Sequence, residues 1–201
     1  MSSSTASESQ HAEKPSPEQV REAAKAVGSF LANQTYAVVG GAACSLLGSQ
    51  RVTEDVDIVV PRGATKETRN ALKNQPTYFD SDPRVEVEIL APPSLFRETF
   101  DASTPFVLIG NPKVLKPTLI LNAKCNAISG RATEGKKASD AEDIKFCLQW
   151  CHGNGVIPTA EEVPNADADF VRRFASVYGG KEDWAKIGYN FETGKFTGRA
   201  E

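Results

Sequence analysis

Residues 38–60 read VVGGAACSLLGSQRVTEDVDIVV. An apolar run, Tyr36 to Val39, ends at Gly40 and Gly41; Ala42 to Leu47 then reads as a helix, and Gly48 stops it. Next come Asp55 and Asp57, interleaved with the apolar run Val56 to Val60 that Pro61 closes. Successive side chains on a strand leave opposite faces, so the two carboxylates emerge together while Val56, Ile58 and Val60 enter the core. Carboxylates held that close raise each other's pKa unless a cation sits between them. A hard divalent ion such as Mg²⁺ meets that need, because it commonly takes one or two protein carboxylates plus phosphate oxygens. The glycine pair supplies a second element: without side chains, backbone N–H groups at a helix start can approach a phosphate closely.

Outward from this segment the pattern is mixed α/β. Ser16, Pro17 and Gln19 form a capping-box helix start, and Val20, Ala23, Ala24, Val27, Phe30 and Leu31 recur at helical spacing behind it. Lys66 to Leu72 reads as a helix. Arg84 to Leu90 alternates, with Val85, Val87 and Ile89 on one face and Glu86 and Glu88 on the other, as in a half-buried strand. Phe106 to Ile109 is a further strand, and Pro117 to Ser129 and Ser139 to Cys151 are helices. Asp167 to Val177 and Glu182 to Ile187 are helical additions. The expected organisation is a disordered tail over residues 1–15, an α/β core over 16–150, and a helical C-terminal appendage over 151–201 packed on that core.

Composition narrows the classes. The chain has 201 residues with a net charge of −3, so no global field draws it to polyanions. One stretch is locally basic: between Asn111 and Lys137, six basic side chains face Glu134 alone. No apolar run approaches the ~20 residues of a membrane span. The opening residues, MSSSTASESQ, carry neither a basic n-region nor an apolar h-region, so a cytoplasmic, reducing location with four free thiols is expected. Cys147, Cys151 and His152 invite a metal reading, but without a CxxC pair the two cysteines are better read as completing the apolar stripe of their helix. Phe170, Phe174, Tyr178 and Trp184 read as the core of the appendage. Neither GxGxxG nor GxxxxGK[ST] occurs.

A strand ending in Gly40-Gly41, then a helix, then Arg51-x-Thr53-x-Asp55-x-Asp57 running into three apolar residues resembles the core of the nucleotidyltransferase superfamily, which includes kanamycin nucleotidyltransferase, DNA polymerase beta and the abortive-infection type II toxins. The resemblance covers residues 36–150. It implies a nucleotidyltransferase fold, with a mixed central sheet flanked by helices, and a third carboxylate from a later strand. Glu88 fits that carboxylate because two apolar residues follow it, and Glu86 on the same face is the alternative. It further implies that Gly40, Gly41, Arg51 and Thr53 serve nucleotide binding. The second glycine of the family is often serine, a contact that here is missing or falls to Ser45. In the toxin branch a Lys-bearing helix precedes an Arg-rich loop and an Asp-x-x-Asp helix, which correspond to Lys124, then Arg131, Lys136 and Lys137, then Asp140 and Asp143. Ser139 stands where an arginine usually precedes the first Asp.

Helical spacing bears on two of these residues independently. Lys124 shares a stripe with Ile120, Leu121 and Ile128, and Asp140 lies four before Ile144, so both ionisable groups point toward the core side. The bland alternatives are a lysine that snorkels to water and an Asp140 that merely sits in the first turn of a helix capped by a Ser139–Glu142 box. The expected activity is transfer of a nucleoside monophosphate from an NTP to a hydroxyl, with Asp55, Asp57 and Glu88 holding two Mg²⁺ ions (or Mn²⁺) and Lys124 balancing triphosphate charge. The acceptor is tRNA, protein or a small hydroxylated molecule, with no membrane partner. The rival reading is a nucleotide-binding or scaffold module of the same fold without turnover.

Overall fold

The structure is a computed structural model and describes residues 14–73 and 82–197. Of the expected tail, residues 1–13 lie outside the described residues. The first helix, α1 (Pro17–Phe30), begins as its sequence dictates: Ser16 Oγ accepts from the Gln19 N–H and Gln19 Oε1 accepts from the Ser16 N–H, with Pro17 at the first position. Strand β1 (Ala37–Val39) is buried throughout and leads into α2 (Gly40–Leu46). The two glycines thus form the first residues of the helix rather than a turn before it. β2 (Asp55–Val59), α3 (Thr65–Lys73), β3 (Glu86–Leu90) and β4 (Phe106–Leu108) follow.

Next comes a strand absent from the sequence reading, β5 (Lys113–Leu115). Its three residues, set between Pro112 and Pro117, are too few for a periodicity signal. β5 is nonetheless central: the sheet runs β3-β2-β1-β5-β4, with β5 parallel to β1 through Val38 and Val114 and antiparallel to β4. β1 and β2 are antiparallel, β2 and β3 parallel. The result is a mixed five-stranded sheet flanked by helices. Val56, Ile58 and Val60 are fully buried, as the alternation requires.

From β5 the chain enters α4 (Pro117–Ser129) and α5 (Glu134–Gly153). α5 starts five residues earlier than expected, capped by Thr133, whose Oγ1 accepts from the Lys136 N–H. The expected Ser139–Glu142 box is therefore absent: Ser139 lies inside the helix and donates back to the Gly135 carbonyl at 3.1 Å, and Asp140 occupies the second turn. Polar GKKAS at the start of α5 concealed its first turn.

Beyond residue 153 come α6 (Ala168–Tyr178), capped by Asp167, α7 (Lys181–Lys186) and a ribbon of β6 (Tyr189–Asn190) with β7 (Lys195–Phe196) that the sequence reading lacked. Phe170, Phe174, Tyr189 and Phe196 pack on the fully buried Trp184. All four cysteines are buried free thiols, and no helix among the described residues is long and apolar enough to cross a membrane.

Candidate functional site

The parallel pairing of β2 with β3 sets Asp55 opposite Glu86 and Asp57 opposite Glu88. Partners in register share a face, so the four carboxylates leave one face of the β2–β3 pair. Both glutamates therefore lie level with an aspartate, and what separates them is that Glu88 stands beside Asp57. Asp57 is also opposite Val39, the residue before the glycine pair. Gly40 has φ +65°, and a Cβ there would lie 2.3 Å from Asp57 Oδ2. Only glycine allows the backbone to sit this close to the carboxylate.

Burial, the neighbouring Asp55 and the neighbouring Glu88 push the Asp57 carboxyl up to about 7, against a partial pull downward from Lys124. Thr53 Oγ1 lies 3.2 Å from Asp55 Oδ1, which ties the residues before the strand to its first carboxylate. The donor set is carboxylate oxygen throughout, the chemistry of Mg²⁺ or Mn²⁺ rather than of a thiolate or imidazole site. Among the described residues no three such groups are already gathered into a metal-holding cluster.

Behind this wall lies a chain of ion pairs, buried at Lys124, Asp140 and Asp143 and open to solvent at Arg131. Lys124 Nζ sits 2.8 Å from Asp140 Oδ1 and 2.7 Å from Asp143 Oδ2. Each aspartate also has its own arginine: Arg131 Nε reaches Asp140 at 2.6 Å, and Arg51 grips Asp143 with Nε at 2.7 Å and Nη2 at 2.9 Å. The spacing of Asp140 and Asp143, three apart on α5, turns both toward α4. Burial works against the charge of Lys124, but Asp143 and Asp140 outweigh it and raise its pKa. Burial also opposes the charge of Asp140, yet the Arg131 hydrogen bond and Lys124 keep it below the usual carboxylate range. Lys124 does not snorkel: it is 8% exposed and held between two carboxylates. Three cations against two anions leave the network with one net positive charge beside Asp57.

A cavity of about 360 Å³ brings Gly40, Asp57, Lys124 and Arg131 onto one lining, a volume within the range of small-molecule sites. Asp55 and Glu88 flank Asp57 on the sheet, and Glu88 lines a neighbouring groove with Arg69 and Lys73. Gly41 faces inward, where a Cβ would meet Arg51 Nη2 at 2.5 Å and Thr53 Oγ1 at 2.6 Å. Arg51, Thr53 and Asp140 are not on the cavity lining. Ser45 is buried on α2 with its hydroxyl unpaired, away from the cavity lining. The basic stretch is largely spent internally. Lys113 donates to the Ala32 and Gln34 carbonyls, Lys116 pairs with Glu162, Lys137 pairs with Glu134, and Lys124 and Arg131 belong to the ion-pair network.

The sequence reading missed the loop between β3 and β4, which contributes Ser94, Leu95, Phe96, Arg97 and Glu98 to the cavity, and Asn126 on α4. The loop has no periodicity and no motif; its only local signal was polar residues beside an aromatic.

No protein-family model and no curated protein matches the sequence. Among solved structures, the chain is similar to the crystal structure of an antigenic nucleotidyltransferase-like protein from Paracoccidioides brasiliensis, at 22% identity over 87% of this chain and 94% of that one, with a TM-score of 0.61. A second similar chain is the solution structure of the antibiotic-resistance factor ANT(2'')-Ia, at 15% identity over 80% of this chain and 94% of that one, with a TM-score of 0.45. The first likeness shows a nucleotidyltransferase-like fold.

Proposed function

We propose that the protein is a metal-dependent nucleotidyltransferase that moves a nucleoside monophosphate from an NTP to a hydroxyl acceptor and releases pyrophosphate. The observation that carries this reading is Asp57, a carboxylate pressed against the Gly40 backbone, crowded by Asp55 and Glu88 and raised to about 7 on the wall of a cavity. Such a concentration of like charge is costly for the fold alone and is relieved by a hard cation.

Asp55, Asp57 and Glu88 would hold Mg²⁺, which when bound supplies charge neutralisation and in-line alignment of the attacking and leaving oxygens. The Gly40–Gly41 start of α2 seats the triphosphate, and Lys124 and Arg131, on the same cavity lining as Gly40, offset its charge. The acceptor oxygen bonds to the α-phosphorus as the α–β bridging bond breaks, and a carboxylate of the Asp57–Glu88 pair accepts the hydroxyl proton. Asp140 and Asp143 hold the lysine ammonium in place. The acceptor is a hydroxyl of RNA, protein or a small molecule.

The test is label transfer from each of the four α-labelled NTPs to RNA, protein and small-molecule fractions with Mg²⁺, beside Asp57→Asn. Transfer by the wild type that the variant loses supports the reading. NTP binding without any labelled product would instead mark a nucleotide-binding module without turnover.

A further inference from the structure

Five consecutive residues, Ser94 to Glu98, line the same cavity as Asp57 and Lys124, and the mechanism above uses none of them. Two are joined through α4. Arg97 Nη1 donates to Asn126 Oδ1 at 3.2 Å, and Asn126 Nδ2 donates to Glu98 Oε1 at 3.1 Å. Asn126 lies two residues beyond Lys124, so the helix fixes its amide, and the amide fixes a guanidinium on one side and a carboxylate on the other. Its own oxygen and nitrogen are both engaged. Among the described residues, the other guanidinium N–H groups of Arg97 and the other lone pairs of the Glu98 carboxylate have no partner and can meet a ligand. Leu95, 67% exposed, adds apolar surface next to them, suited to the face of a planar ring.

A triphosphate seated at Gly40 and balanced by Lys124 and Arg131 leaves its base for the rest of the lining. We infer that the Ser94–Glu98 loop together with Asn126 is the nucleobase-recognition edge of the cavity, and that guanine is the base it takes; this rests on the nucleotidyl-transfer reading above. A guanidinium fork calls for two adjacent acceptors, and a carboxylate calls for two adjacent donors. Guanine offers N7 and O6 side by side and then N1–H and N2–H₂ side by side. Adenine alternates N7, N6–H₂ and N1, so it gives the fork one acceptor at a time. Uracil has a single N–H between two carbonyls. Cytosine has two acceptors but only its one amino group as donor.

The experiment is calorimetry on the full chain with Mg²⁺ and GTP, ATP, CTP, UTP and inosine triphosphate. The last keeps O6, N7 and N1–H but lacks the 2-amino group. GTP is expected to bind about 10-fold or more tightly than ATP, as one bidentate base contact provides, with inosine triphosphate in between. Glu98→Gln should bring GTP down toward inosine triphosphate, and Arg97→Lys, which keeps the charge but loses the fork, should weaken both while changing ATP little. Lys124→Met should weaken all the nucleotides alike. Equal affinity for every base, or a preference that Glu98→Gln and Arg97→Lys leave unchanged, overturns the inference while nucleotidyl transfer stands. Absence of binding by any NTP overturns the transfer reading and this inference with it.

Discussion

Asp57→Asn separates a site kept for a cation from a merely polar strand end. The Asp57 carboxyl is raised from an ordinary 3.8 to about 7 by burial and by Asp55 and Glu88. Each pKa unit is worth 1.36 kcal/mol, so without metal the ionised form costs the fold on the order of 4 kcal/mol. The sign follows from proton linkage. Between pH 3.8 and about 7 the folded protein holds a proton that the unfolded chain has released, so stability falls as pH rises through that window and the loss is complete above it. Asparagine never ionises and escapes the loss. The variant's stability relative to wild type should therefore grow by about 2 to 3 kcal/mol between pH 5 and pH 8. Urea unfolding of both proteins in chelator at the two pH values measures it, and titrations of groups remote from Asp57 cancel in the difference. Millimolar Mg²⁺ at pH 8 should then stabilise the wild type more than the variant, because the ion binds the folded state. A stability difference that is the same at pH 5 and pH 8, or one that moves in favour of the wild type as pH rises in chelator, would refute the electrostatic argument.

Gly40→Ala forces φ +65° on a residue with a Cβ and drives that atom onto Asp57, so thermal unfolding should show a loss of about 1 to 3 kcal/mol and label transfer should vanish; normal transfer would detach the glycine from the site. Lys124→Met leaves two buried carboxylates with one arginine each and should cost about 3 kcal/mol in urea unfolding, where a snorkelling lysine would cost nothing. Combined with Asp140→Asn it should cost less than the two single changes together, since they disable one unit, and strict additivity would break the pair. Glu88→Gln should lower the transfer rate by about 10² or more, and Glu86→Gln by much less, because Glu88 is the one in register with Asp57; a reversed order would move the proton acceptor to the Asp55 level.

The sequence by itself determined whatever is local. The Ser16–Gln19 cap and the alternation in DVDIV and EVEIL each depend on bonds or steric limits within a few residues, and both are present in the structure; the helix after β1 is present too, with the glycine pair as its first residues. Spacing also showed that Lys124 and Asp140 face inward, because a helix periodicity needs no partner to be read. What joins elements far apart in the chain was decided only by the tertiary structure. β5 is three residues long and is a strand because β1 and β4 hold it on either side. Arg51 meets Asp143 across 92 positions and so braces one of the two aspartates that hold Lys124. The Arg97–Asn126–Glu98 set exists only where a loop without periodicity packs on α4. Such contacts form when the sheet and helices bury their apolar faces together, and the backbone patterns that a sequence displays carry no record of which polar groups that burial will bring within 3 Å.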